Sequence, residues 1–137
     1  MEQLIGKTIK EVQLDENDFL LKLITEDNEN ILIRTEGDCC NRVWFVHVSG
    51  IESLIGAKIN EVVEKKWELV SDEKEIKGND EYEEVCFWTI KTDKGYFDFE
   101  VRNNHNGYYG GFVSVLTQDH YLKYYKDLKF RVLKEDF

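Results

Sequence analysis

The sequence predicts a single α+β domain, mostly β, that consists of two internally repeated β-rich halves with one to three short helices. The first observation behind this prediction is that Leu-Ile-Gly at positions 4–6 recurs at positions 54–56, an offset of 50. The second is that Phe-Val-His-Val at 45–48 recurs as Phe-Val-Ser-Val at 112–115, an offset of 67. The third is the alternation of apolar and polar residues in short runs, which is typical of strands with one buried face.

The repeats also set the expected domain organisation. The first half is residues 1–50, the second half is residues 51–118, and a C-terminal helix and strand occupy residues 119–137. The increase of the offset from 50 to 67 predicts 17 additional residues in the second half. They fall in an acidic stretch at about residues 66–84, which we expect to be a solvated excursion or, alternatively, a flap over a site.

Paired apolar runs that flank polar turns predict one β-hairpin in each half. The hairpin strands are residues 19–24 with 31–34 and residues 85–90 with 96–101. Further strands are predicted at residues 8–14, 43–48, 59–63, 112–116 and 128–133. The expected core consists of Leu21, Leu23, Ile31, Ile33, Phe45, Trp88, Ile90, Phe97, Phe99, Val113 and Val115.

Helical signals are few and short. The clearest one covers residues 49–56, with Ser49 as the expected N-cap. Residues 1–6 are its expected counterpart in the first half. A further helix is expected at residues 119–127, with Asp119 as its cap.

The composition of the 137-residue chain excludes several classes of protein. A net charge of −10 with thinly spread lysines disfavours nucleic-acid binding, because phosphate contacts need clustered cations. The acidity favours solubility, and the alternative is an acidic surface that binds a basic protein or mimics nucleic acid. No apolar run reaches the roughly 20 residues of a membrane span, and no signal peptide is evident. Together with three cysteines, an odd number, this predicts a cytoplasmic protein.

The first polar cluster is Gly-Asp-Cys-Cys-Asn-Arg at residues 37–42. Arg42 offers a planar fork to a phosphate or carboxylate, whereas in a plain turn Asp38 would only bond the backbone. A nucleophilic Cys39 or Cys40 would need a base such as His105, and the alternative is a small buried residue. No metal-ligand spacing organises the cysteines and histidines, so neither a metal site nor a cofactor is expected.

The second polar cluster is residues 103–111, Asn-Asn-His-Asn-Gly-Tyr-Tyr-Gly-Gly. Asn-Gly predicts a turn with positive φ, and the amides and imidazole supply neutral donors and acceptors. An ordinary hairpin loop with packed tyrosines is the alternative. The residues expected to form one concave ligand site, within a chain or across a dimer interface, are Asp38, Arg42, Asn104, His105, Asn106, Tyr108 and Tyr109.

Four motifs give the chain a resemblance to a known family. They are acidic-x-Asp-Cys-Cys at 36–40, Leu-Ile-Gly at 54–56, a hairpin with Phe-Trp at 87–88 and a turn glycine, and Asn-Gly-Tyr-Tyr at 106–109. In these motifs the chain resembles an uncharacterised family, a domain of unknown function, of tailed-phage and bacterial proteins. The resemblance covers nearly the whole chain and implies a phage or mobile-element context, without a known activity.

These features favour a binding protein over an enzyme. In the context that the resemblance implies, the leading hypothesis is a small non-enzymatic phage protein that counters host defence by sequestering a nucleotide-like signal. One alternative is an acidic inhibitor or immunity-type protein, and another is a cysteine-dependent enzyme that uses Cys40, His105 and Asp38. The expected partners are a small polar or anionic ligand, a host protein or a second copy of the chain, and neither nucleic acid nor a membrane.

Overall fold

The computed structural model of the protein describes residues 1–37, 41–70, 82–105 and 110–137, and of Tyr82 and His105 it describes the backbone only. In chain order the strands are β1 (Ile9–Asp15), β2 (Leu20–Thr25), β3 (Asn30–Glu36), β4 (Arg42–Ser49), β5 (Ile59–Glu64), β6 (Glu68–Leu69), β7 (Tyr82–Thr92), β8 (Gly95–His105), β9 (Phe112–Leu116) and β10 (Phe130–Val132). The helical elements are a 3-10 turn (Glu2–Leu4), α1 (Ile51–Leu54), α2 (Gln118–His120) and a π-helical turn (Tyr121–Tyr125). A mostly β domain with a few short helices is therefore confirmed.

The strands form two antiparallel sheets. The first sheet has the order β10-β1-β2-β3-β9, and the second has the order β4-β8-β7-β5, with β6 also paired to β7. Both predicted hairpins are confirmed, since β2 pairs with β3 and β7 pairs with β8. Of the acidic stretch at 66–84, the described flanks pair as β6 and the start of β7, and residues 71–81 lie outside the described residues.

The first pairing in each sheet has the same register. Ile9 pairs with Thr25 in β1 and β2, and Ile59 pairs with Thr92 in β5 and β7. In both pairs the register shifts by one residue immediately afterwards, which is the signature of a β-bulge. The two strands are thus bent at corresponding places, and both can bring their N-terminal ends towards the middle of the molecule.

Two glycines join the sheets where these N-terminal ends meet. The Gly6 amide donates to the Ile59 carbonyl at 2.8 Å, and the Gly56 amide donates to the Ile9 carbonyl at 2.7 Å. The φ angles of the two glycines are +87° and +76°, in the left-handed region that residues with a Cβ rarely adopt. The two hydrogen bonds are reciprocal, so each half of the chain donates one and accepts one.

The chain crosses between the sheets twice at one end, which we call the crossover end. The first crossing leads from β3 at Glu36 to β4 at Arg42, and the second leads from β8 to β9 at Phe112. Glu36 pairs with Phe112 in the first sheet, and Arg42 pairs with Asn104 in the second. The described ends of the two crossings therefore lie side by side.

Apolar side chains from both sheets form one core cluster. Phe99 lies near its middle, with its ring centroid 5.6 Å from that of Phe45 and 6.1 Å from that of Trp88. The predicted core is confirmed: nine of the eleven expected residues are buried, and Val113 and Val115 are partly buried against the cluster.

The predicted helix caps are wrong in two places. The residue before α1 is Gly50 in the left-handed conformation, and the Asp136 carboxylate accepts hydrogen bonds from the amides of Gly50 and Ile51. The C-terminal tail thus supplies the cap that was expected from Ser49. The last helical segment begins after Thr117, so Asp119 lies inside α2.

The C-terminal helical segment, α2 with the π-helical turn, covers the outer face of the first sheet. Lys22 is buried there, with its ammonium 4.5 Å from the ring centre of Tyr121 and 4.1 Å from that of Phe130. Arg34 donates a hydrogen bond to the Tyr125 hydroxyl at 3.0 Å. Leu133, the residue after the final strand, reaches the core, while Leu128 and Val132 stay 45% and 44% exposed.

Replacing Phe99 by Ala should lower the free energy of unfolding by about 3–5 kcal/mol, because a buried aromatic ring is lost and a cavity remains. Tyr96, three residues earlier in β8, is 59% exposed and serves as the matched control. Its replacement by Ala should change stability by less than about 0.5 kcal/mol. Urea denaturation of both variants measures the difference, and equal losses would show that Phe99 is not a core residue.

Candidate functional site

The two polar clusters predicted from the sequence flank the two crossings. Asn41 holds the crossings together, since its side-chain amide donates to the Asn103 side-chain carbonyl at 2.9 Å and to the Gly110 carbonyl at 3.1 Å. Asn103 is fully buried. The described ends of the clusters are therefore neighbours at the crossover end.

Arg42 lies on the outer surface of this end. Its guanidinium carbon is 4.5 Å from the ring centre of Trp44, an arrangement that orients the planar group and leaves its N–H donors exposed. Asn104 is directly opposite in the neighbouring strand. A cation, an indole and an amide thus share one patch of surface.

A second arginine close by has other partners. Arg102 donates to the Glu83 carboxylate at 2.9 Å and to the Glu100 carboxylate at 2.8 Å. Both carboxylates neutralise the guanidinium, so Arg102 is a poorer anion-binding group than Arg42.

Several predicted site residues fall on positions that lie outside the described residues. These are Asp38, Asn106, Tyr108 and Tyr109, together with the adjacent cysteines Cys39 and Cys40. His105 is the last residue of β8, and its backbone pairs with Tyr82. The convergence of these side chains on one site, and a reactive Cys40, stay predictions.

The remaining cysteine, Cys86, is buried in the core of the second sheet. Burial, and to a smaller extent the nearby Glu64 carboxylate, raises the pKa of its thiol from 9.0 to about 12. The thiol donates to the Lys65 carbonyl at 2.9 Å. Cys86 therefore stays protonated and unreactive at neutral pH.

A groove at the opposite end of the second sheet was not predicted. It has a volume of about 470 Å³ and lies between β1, α1, the β7–β8 turn and the chain after β10. Its lining residues are Lys10, Glu11, Val12, Ile51, Glu52, Ile55, Lys94, Val132, Leu133 and Lys134. Because these residues come from four separate parts of the chain, no local motif marks the groove.

The described residues contain neither a metal site nor a membrane-spanning helix. No group of three His, Cys, Asp or Glu side chains within them could hold a metal ion. None of the helices there has both the length and the apolar composition needed to cross a bilayer.

Alkylation of Cys86 by iodoacetamide should be very slow in the folded protein at pH 8.5 and fast after unfolding. The test uses a variant with Cys39→Ser and Cys40→Ser, so that mass spectrometry reports Cys86 alone. Between pH 9 and about 12 the unfolded thiol ionises and the folded one does not, so this group lowers stability as pH rises through that window. Rapid labelling of the folded variant at pH 8.5 would contradict the assignment.

Comparison with known proteins places the chain in a family. The family model described as a domain of unknown function (DUF7448) matches residues 2–115. An uncharacterized protein of Acanthamoeba polyphaga mimivirus is 31% identical over 112 residues, which cover 78% of this chain and 85% of the viral one. No solved structure matches the chain. The chain belongs to the DUF7448 family.

Proposed function

We propose that the protein is a small non-enzymatic binding protein that holds a planar anionic ligand at the crossover end. The observation that carries this proposal is the link from Asn41 to Asn103 and Gly110, which brings the ends of both polar clusters together. Binding groups concentrate in loops on a rigid scaffold. Here the two loops that contain the polar clusters both begin beside the Asn41 link.

The chemistry of the described residues favours a nucleotide-like ligand. The exposed Arg42 can donate two parallel hydrogen bonds to a phosphate. Trp44 offers an aromatic face, and the Asn104 amide can both donate and accept hydrogen bonds at a base edge. In this proposal the site is completed by Asp38, His105, Asn106, Tyr108 and Tyr109. The two tyrosines stack on the ligand.

The biological setting that we propose is viral. The resemblance of the sequence motifs to tailed-phage proteins suggests it, and the mimivirus relative is compatible with it. In that setting, a protein that binds a nucleotide-like signal without converting it would counter host defence by sequestration.

We also propose that the two halves are copies of one unit. Three observations support this: the shared register at Ile9 and Ile59, the reciprocal bonds of Gly6 and Gly56, and the exchange of one strand in each direction. In the first sheet, β1, β2 and β3 of the first half are joined by β9, and in the second sheet, β5, β7 and β8 of the second half are joined by β4. The two polar clusters would then be equivalent loops, which accounts for their position at the same end.

Replacing Arg42 or Tyr109 by Ala should strongly weaken binding of the ligand and leave the melting temperature nearly unchanged. Loss of a charge-assisted pair costs about 1.5–3 kcal/mol, which corresponds to a roughly tenfold to hundredfold weaker Kd. The ligand is first identified by mass spectrometry of whatever the heated protein releases, and calorimetry with linear and cyclic mononucleotides then measures the Kd.

Two control variants sharpen this test. Arg42→Lys keeps the charge and removes the planar fork, so it should bind more weakly than the native protein. Lys58→Ala removes an exposed cation next to the β7–β8 turn, at the opposite end of β8 from Asn104, and should bind normally. Native-like binding by Arg42→Ala and Tyr109→Ala, or no binding of any nucleotide and no released ligand, would refute the proposed function.

A further inference from the structure

We propose that the groove beside α1 is a separate binding site for a singly charged amphipathic anion, such as a carboxylate with an aliphatic chain. This inference is independent of the function proposed for the crossover end. Lys94, at the groove, lies in the turn that precedes β8, whereas Asn104 lies near the far end of the same strand. The two sites are thus separated by almost the full length of an eleven-residue strand.

The apolar part of the groove is aliphatic. Val12, Ile51 and Leu133 are buried members of the core cluster, and Ile55 packs against that cluster. Val132 remains 44% exposed at the side of the groove. None of its described lining residues is aromatic, so they offer burial to an alkyl chain and no stacking face to a base. A volume of about 470 Å³ lies within the roughly 300–1,000 Å³ that small-molecule sites occupy.

The charged part of the groove is cationic, although the chain as a whole carries −10. The Lys94 ammonium is held by a hydrogen bond to the Ile55 carbonyl at 2.9 Å, which keeps its remaining N–H donors beside the groove. Lys10 is held in a similar way by the Asn28 side chain. Lys134 makes no hydrogen bond or ion pair within the described part of the chain, so its ammonium is available to a ligand.

The two glutamates of the groove limit the charge of the ligand. Glu11 accepts a hydrogen bond from the Gln13 side chain at 2.6 Å, and Glu52 lies in the first turn of α1. Three ammonium groups and two carboxylates leave a small positive balance. A monoanion suits this balance, whereas a polyphosphate would be repelled by both carboxylates.

The cationic side chains beside β1 have no counterpart at the corresponding position beside β5. Lys10 follows Ile9 at the register shift of β1, and the residue at the corresponding shift of β5 is Asn60. Asn60 donates to the Asp93 carboxylate at 2.9 Å and carries no charge itself. In addition, β10 pairs with β1, and no described strand takes the same place beside β5. The groove is therefore a particular feature of one side of the molecule.

The test is a titration of the full-length protein with octanoate, followed by amide chemical shifts and calorimetry. Octan-1-ol and octyltrimethylammonium have the same chain without the negative charge and serve as ligand controls. The variants are Lys94→Glu and Lys134→Glu, with Lys94→Gln as a milder change. Lys126→Glu reverses an exposed charge outside the groove and is the matched protein control. Thermal melts establish that each variant is folded.

We expect saturable shift changes at residues 51–55 and 132–134 with octanoate, and much weaker binding of the two controls. Charge reversal at Lys94 or Lys134 should weaken octanoate binding by about tenfold, while Lys126→Glu should change it less than about twofold. The proposal is overturned if octan-1-ol binds as well as octanoate, if all three charge reversals have equal effects, or if no saturable change occurs at the groove. Arg42→Ala should bind octanoate normally, which separates this site from the crossover end.

Discussion

The structure depends on the exchange of one strand in each direction between its two sheets. β4 leaves the first three strands to complete the second sheet, and β9 returns from the second sheet to pair with β3. Neither sheet is complete without a strand from the other half, so neither half can bury its apolar face alone. Asn41 ties the two crossings at one end, and the reciprocal bonds of Gly6 and Gly56 tie the strands that begin each half. This exchange of strands determines the positions of the core, the crossover end and the groove.

The strands were predictable because strand burial has a period of two. Phe97, Phe99 and Val101 alternate with charged residues and are almost completely buried, whereas Asp98 is partly exposed and Glu100 is buried in an ion pair with Arg102. The caps were not predictable, because the carboxylate that caps α1 comes from Asp136, which is 85 positions from Ile51. For the last strand, the sequence predicted the element but not which of its neighbouring residues would be buried. Its alternation correctly indicated a strand, but the sequence could not show that the tail beyond it would bury Leu133 and leave Val132 at the surface.

The two candidate sites differ in how far a sequence can reveal them. The crossover end is visible because its polar residues are consecutive and contain turn-forming asparagines and glycines. The groove is not evident from the sequence because Lys10, Lys94 and Lys134 are far apart along the chain. Their proximity arises when α1 packs near the start of β1 and the C-terminal tail returns to the same edge. Contacts of this kind depend on topology, which local propensity does not determine.

The two proposed sites lie far apart along β8. β8 is extended, and at about 3.3 Å per residue the ten positions from Lys94 to Asn104 span roughly 30 Å. A mononucleotide or a medium-chain carboxylate is far too short to contact both ends. A variant at one end therefore acts as an internal control for the other, since both share the same core and the same net fold. If an anion binds weakly wherever the acidic surface offers a cation, Arg42→Ala and Lys94→Glu must weaken it alike. If each end is a specific binding site, Arg42→Ala must weaken only the binding of the nucleotide-like ligand, and Lys94→Glu must weaken only the binding of the carboxylate.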